Sequence, residues 1–234
     1  MQGAWDQPYK IANYRVRGYR APALLPVGFW RSVGALQNGF FHESLIDEMA
    51  HAAGVCPMEL RLSTINHRPS RQVLEAVAEM SNWGGDLPKG HALGVAFVLS
   101  FGVPVAEVIE VADSATGIKV VAAYAAVDVG VALDPTIVQA QVQLGLNYGL
   151  SAAMMSEITL KDGVVEQNNF HNYDCIRMYQ APSVEVKVLE HGEKITGIGE
   201  PGTPPAAPAL ANAVFTLTGQ RIRSLPLGKH VRFA

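Results

Sequence analysis

Three runs rich in β-branched residues, Ala92–Leu99, Val105–Val111 and Ile118–Val127, follow one another with only short breaks between them. Runs of that length and composition read as strands, and Asp113-Ser114-Ala115-Thr116-Gly117 reads as the turn joining the last two. On either side the apolar period is helical. Asn38 is placed to cap a first helix whose Phe41, Leu45, Met49 and Ala52 recur on one face before Gly54. Pro57 suits the first position of a second helix carrying Met58, Leu62 and Ile65. Ser70 precedes a third with Val73, Leu74, Val77 and Met80, stopping at Gly84-Gly85.

Beyond the strands, Asp134-Pro135 reads as cap and first residue of a long helix to about Met155. Asp162-Gly163 is a hairpin turn, Val184, Val186 and Val188 alternate as one more strand, and a last helix runs from about Thr203-Pro204 to Gly219. That last helix turns Leu210, Val214 and Leu217 inward. Strands and helices mix without a strict βαβ alternation, so the expected fold class is α+β, with a helical segment at about 38–83 and a strand/helix segment at about 92–227. Met1 to Phe29 has no clear period and is broken by Pro22, Pro26 and Gly28, the pattern of an extended arm or of a stretch cut from something longer.

Apolar residues make up 49% of the 234 and charged residues 17%, against about 25% in typical domains. That composition excludes a disordered chain and suggests that part of the surface is covered by other protein. A net charge of −3 gives no basic footprint for nucleic acid. Two cysteines, Cys56 and Cys175, exclude a disulfide scaffold and a four-thiolate zinc site. The opening residues form no signal peptide, and the most apolar stretch, Ala92–Ala106, is interrupted by Ser100, Gly102 and Pro104 and too short for a transmembrane helix.

The seven histidines stand singly, without metal-ligand spacing, and read as surface or satisfied core. Adjacent helical acids such as Asp47 and Glu48 point about 100° apart, so the pair reads as solvated surface. Three places offer chemistry. In Gly197-Ile198-Gly199-Glu200-Pro201-Gly202, glycines bracket a carboxylate ahead of a helix start, whose positive end favours an ionised general base. A plain Gly/Pro turn with an exposed acid is the bland alternative. The formal Gly-x-Gly-x-x-Gly there lacks the acid that a dinucleotide fold needs further on, although Arg221 and Arg223 could still meet a phosphate. Gln141, Gly145 and Gly149 fall four apart on the long helix, which signals close helix packing or ligand approach beside an amide. Trp30-Arg31 sets a guanidinium beside an aromatic just before the first helix.

Taken in order, these stretches resemble the molybdenum hydroxylases, the xanthine dehydrogenase and aldehyde oxidoreductase superfamily, and among them the large subunit of isoquinoline 1-oxidoreductase-type enzymes. The matching segments are Trp30-Arg31-Ser32-Val33-Gly34, Glu43 to Glu48, Ala126-Val127-Asp128-Val129-Gly130, Asp134-Pro135 with Gln139-Ala140-Gln141, Gln167 to Tyr173, and Gly197 to Gly202 with Arg221-Ile222-Arg223. The resemblance implies that residues 1–234 are the C-terminal part of a molybdenum cofactor-binding domain. It implies an oxidoreductase that hydroxylates an aldehyde or N-heteroaromatic carbon with water-derived oxygen. Glu200 would be the catalytic base, and Arg31, Gln141 and Gly199 would lie against a molybdenum–molybdopterin group, in its simple or cytosine dinucleotide form. The implied partners are the N-terminal remainder of the same subunit, a small subunit with iron–sulfur clusters, and the small-molecule substrate. Leu144 replaces a glycine of the family's pterin segment, and Val33 and Ala35 stand where xanthine dehydrogenases carry Phe and Gly. The family's Gly-Gly-x-Phe-Gly loop does not occur here, so the isolated chain is expected to be inactive. The rival reading is a binding or assembly module that keeps the fold without catalysis.

Overall fold

The structure is a computed structural model that describes residues 1–22 and 25–234. Its centre is a four-stranded sheet. Strands β1 (His91–Ser100), β2 (Val103–Ser114) and β3 (Gly117–Asp128) form an antiparallel meander, and β6 (Ser183–Leu189) joins β3 in parallel to complete the order β1-β2-β3-β6. Parallel pairing needs a crossover. Helix α4 (Pro135–Met154) supplies it and packs on β6, its start held by the Asp134 carboxylate, which accepts from the Thr136 and Ile137 amides. The Asp162-Gly163 turn joins a small hairpin, β4 (Leu160–Lys161) and β5 (Val164–Val165), with both residues at positive φ. The α+β expectation is met.

Both faces of the sheet are covered, which is why β1 to β3 read as nearly continuous apolar runs rather than alternating ones. One face, with Leu93, Val95, Phe97, Ala106 and Val108, packs on α3 (Arg68–Met80) and its Val73, Leu74 and Val77. The other, with Val105, Ile109, Val111 and Ala123, packs on α4 and on α5 (Ala206–Thr218). Contact with α5 is close at Gly94, where a Cβ would stand 2.1 Å from the Ala213 amide nitrogen. Asn212 on α5 donates to the Val95 carbonyl at 3.0 Å.

The outer edge of β1 is closed by polar side chains from the first fifth of the chain. Gln7 both accepts from Leu99 N (2.9 Å) and donates to Leu99 O (3.0 Å), and Glu43 accepts from Phe97 N at 2.9 Å. An unpaired strand edge is a template for aggregation, and here its Phe97–Leu99 end is engaged internally. Thus the N-terminal stretch, irregular as expected, is tied down: Tyr9 pairs with Ile65 as an isolated bridge and its hydroxyl donates to Glu43 at 2.6 Å.

Helices α2 (Pro57–Thr64) and α3 fall close to expectation, but α1 (Gly34–Ala53) does not. Asn38 lies within it rather than ahead of it and spends its amide on the Gln2 carbonyl. The Phe41, Leu45 and Met49 stripe faces outward, with Phe41 60% exposed. What α1 buries instead includes His42, Glu43 and Asp47. Asp47 is therefore not solvated surface: it accepts from Arg221 at 2.7 Å and lies 3.4 Å from His51. Glu48 takes both Nε and Nη2 of Arg223. Both arginines are thus engaged by acids, and Arg221 also stacks on Phe215 at 3.6 Å. Met80, at the end of α3, is half-buried.

Among the described residues no helix is long and apolar enough to cross a membrane. Both cysteines are free, with Cys56 accepting from the Trp83 indole.

Candidate functional site: a carboxylate on an open wall

The segment before α5 and the segment before α1 meet, although 168 positions separate them. Arg31 lies at the centre of that meeting. Its Nε donates to the Gly199 carbonyl at 2.8 Å, Nη2 donates to the same oxygen, and Nη2 also reaches Gln141 Oε1 at 3.3 Å. Glu200 follows directly: its Oε1 accepts from the Ser32 amide at 3.1 Å, and its carbonyl accepts from Ser32 Oγ at 2.8 Å. The three places singled out in the sequence thus form one cluster. Arg31, Gln141 and Glu200 are all half-buried, and Gly199 is exposed.

The glycines of α4 explain how Gln141 comes to stand there. A Cβ on Gly145 would sit 3.0 Å from the Gly202 carbonyl carbon, and one on Gly149 would sit 2.7 Å from Thr203 O. Conversely, a Cβ on Gly202 would meet Val142 Cα at 3.0 Å. Close packing, rather than ligand approach, is therefore the reason for Gly145 and Gly149: they let α4 lie against the backbone of 202–206. Gln141, one turn earlier, is delivered beside Gly199 as a consequence.

Gly197 and Gly199 are different. Nothing stands within 4 Å of where their Cβ atoms would be, so this stretch of backbone presents an open surface. Unlike the helix-start expectation, the donor nearest the Glu200 carboxylate is the Ser32 amide ahead of α1, not the first turn of α5. No hydrogen bond to Glu200 Oε2 occurs among the described residues, so one carboxylate oxygen is held and the other is open. Chemically, an ionised carboxylate in that state can accept a proton.

The donors left over suit an acceptor-rich ligand. Gln141 uses its oxygen on Arg31, and among the described residues its amide NH2 and Arg31 Nη1 meet no acceptor. A pterin ring, a phosphate and an oxo group are all acceptor-rich, and a planar guanidinium and a primary amide match such groups. No grouping of three or more His, Cys, Asp or Glu side chains suited to a metal ion occurs among the described residues, so a metal here would have to arrive with its own ligands.

Two site neighbours escaped the sequence reading. Tyr148, seven residues beyond Gln141 on the same face of α4, stacks against Trp30 at 5.2 Å and lies 5.9 Å from the Arg31 guanidinium. Burial, and behind it the neighbouring Tyr173, raise its phenol, so it is a neutral hydrogen-bonding group at physiological pH. The three-residue step from Gly145, which shares the face of Gln141, would have pointed to it. Ser32 left no signal at all: it is fully buried, and its backbone is left-handed with φ 72°.

Two sequence families, each described as a molybdopterin cofactor-binding domain, match this chain, one over residues 36–182 and one over residues 1–65. The beta chain of isoquinoline 1-oxidoreductase from Brevundimonas diminuta is 37% identical over 228 residues, covering 93% of this chain and 29% of that protein. A nicotinate dehydrogenase component of Pseudomonas putida is 29% identical over 240 residues, covering 94% of this chain and 20% of that protein. The chain therefore spans less than a third of either relative's length. Among solved structures, quinoline 2-oxidoreductase from Pseudomonas putida 86 superposes with a TM-score of 0.74 at 13% identity, over 86% of this chain and 52% of that one. Aldehyde oxidoreductase from Desulfovibrio gigas gives 0.68 at 13% identity, over 85% and 40%. At such identities these two show a shared fold.

Proposed function

Because the chain belongs to the molybdopterin cofactor-binding domain family, we propose that residues 1–234 form the C-terminal cofactor-binding part of a molybdenum hydroxylase large subunit, with Glu200 as its general base. The observation that carries this reading is the convergence of Arg31, Gln141 and Gly199 around a carboxylate with one oxygen tied down and one open.

The relatives are named for acting on isoquinoline and nicotinate, both N-heteroaromatics, which supports a substrate of that class or an aldehyde. Arg31 Nη1, the Gln141 amide and the open backbone at Gly197–Gly199 would hold the molybdenum–pterin group, in its simple or cytosine dinucleotide form. When bound, that group supplies two-electron redox chemistry, with the electrons leaving through iron–sulfur clusters on a small partner subunit. Glu200 Oε2 takes up the proton released as water-derived oxygen is transferred to the electron-poor carbon, while Ser32 keeps Oε1 fixed. Arg31 forms no ion pair with this base: its hydrogen bonds go to the Gly199 carbonyl and to Gln141 rather than to the Glu200 carboxylate. The site is one wall of a cleft, which the N-terminal part of the subunit completes, so the isolated chain neither retains cofactor nor turns over.

The test is Glu200→Gln in the assembled enzyme, with molybdenum content and turnover measured together. The expected result is full metal content with turnover lowered by roughly 100-fold or more, the range of general-base loss. Unchanged turnover would remove Glu200 as the base.

A further inference from the structure

Ser32 grips Glu200 at two points. Its amide donates to the carboxylate at 3.1 Å and its hydroxyl to the main-chain carbonyl at 2.8 Å. Two bonds from one residue to both ends of another fix the side-chain torsions between those ends, so the carboxylate cannot rotate freely about its stem. Ser32 is itself fully buried, whereas Glu200 is half-buried.

The backbone that makes this grip is unfavourable. Ser32 has φ 72° and Val33 has φ 48° with ψ −128°, two consecutive non-glycine residues in left-handed space. A β-branched residue there is a genuine outlier, and such conformations persist where the surroundings impose them. Starting α1 does not require it. Val33 is the N-cap residue but forms no side-chain cap, whereas an ordinary extended-backbone serine or aspartate would start the helix with a capping bond. What the turn does achieve is directional. It sends the Arg31 guanidinium to the Gly199 carbonyl and the Ser32 amide to the Glu200 carboxylate, two consecutive residues of one loop.

We propose that Ser32 is a positioning residue, and that the strained Ser32-Val33 turn exists to hold the Glu200 carboxylate in one orientation with Oε2 outward. This rests on Glu200 being the base. If the grip loosens, the carboxylate spends less time in its reactive orientation, so kcat falls while KM, set by the rest of the pocket, changes little.

The experiment is Ser32→Ala, which removes the hydroxyl tether, alongside Ser32→Cys, which keeps a weaker donor without branching at Cβ, both in the assembled molybdenum-loaded enzyme. Steady-state kinetics are paired with molybdenum content and with the infrared carboxylate band of Glu200, assigned by subtraction of the Glu200→Gln spectrum. For Ser32→Ala we expect kcat lowered about tenfold, the equivalent of one lost hydrogen bond of about 1.4 kcal/mol, with KM within about twofold. Metal content stays unchanged, the infrared band broadens, and Ser32→Cys recovers part of the lost kcat. An unaltered band and kcat in Ser32→Ala would overturn the positioning role. Unchanged turnover in Glu200→Gln would instead overturn the base assignment, and the infrared band distinguishes the two failures because it reads the grip without turnover.

Discussion

Helix α1 has a glutamate–arginine centre within it and another at its entrance, and the two are built in opposite ways. Glu43 is fully buried and both its oxygens are engaged: Oε1 by the Tyr9 hydroxyl at 2.6 Å, Oε2 by Arg61 Nε and the Phe97 amide, both at 2.9 Å. Glu200 is half-buried, has one oxygen held by a single amide, and has its nearest arginine bonded to a neighbouring carbonyl. Burial alone would raise the Glu43 carboxyl. The Arg61 guanidinium, backed by His42 and Tyr9, outweighs it and holds the group at about 2. Such an acid stays ionised at neutral pH and is a poor proton acceptor there. The contrast separates a carboxylate that fastens structure from one left available for chemistry, by counting bonds rather than by residue type.

The comparison breaks first at Arg61. Arg61→Ala leaves the Glu43 charge buried and unpaired, and should destabilise the full polypeptide by about 3–5 kcal/mol in denaturant unfolding, with turnover per folded molecule unaffected. A loss below about 1 kcal/mol would mean the pair is not the fastening described.

Acid should dissolve the same centre. Folding lowers Glu43 from 4.5 to about 2, so as pH falls the unfolded chain binds the proton first. The resulting stability, about 3 kcal/mol, is whole above pH ~4.5 and is lost progressively as pH falls through the folded value. Glu43→Gln should erase that pH dependence, and an identical acid limb in variant and wild type would assign the limb to other groups.

The site depends on backbone contact instead of charge. In Gly149→Ala the new methyl would stand 2.7 Å from Thr203 O and 2.8 Å from Ala206 Cβ. Pushing α4 off the 202–206 backbone should cost about 1–3 kcal/mol and separate Gln141 from Arg31, weakening cofactor retention measurably. Wild-type stability and metal content would show that this packing does not set the site.

Much of the scaffold was legible because its signals are local. The strands of the meander carry their β-branched runs, and Asp134 and Asp162-Gly163 carry their own cap and turn chemistry. Helix α1 was misread because its buried face mixes apolar and charged side chains: beside Phe40 and Ile46, Glu43 and Asp47 go inward to meet Arg61 and Arg221, partners that no local period reveals. The apolar stripe of Phe41, Leu45 and Met49 then faces outward. The start of α1 at Gly34 follows from the left-handed Ser32-Val33 turn, which residue propensity argues against. For the site, Arg31, Gln141 and Glu200 were each visible as local oddities. Their meeting depends on packing between α4 and the loop before α5, and Ser32 acts through its backbone amide, which every residue but proline has.

The most direct measurement is a structure of the assembled enzyme with its cofactor bound. The molybdenum–pterin group should lie against Gly197–Gly199, within hydrogen-bond distance of the Gln141 amide or Arg31 Nη1, with Glu200 Oε2 turned toward it and Oε1 still on the Ser32 amide. A cofactor seated on another face, with Glu200 directed into bulk solvent, would contradict the assignment.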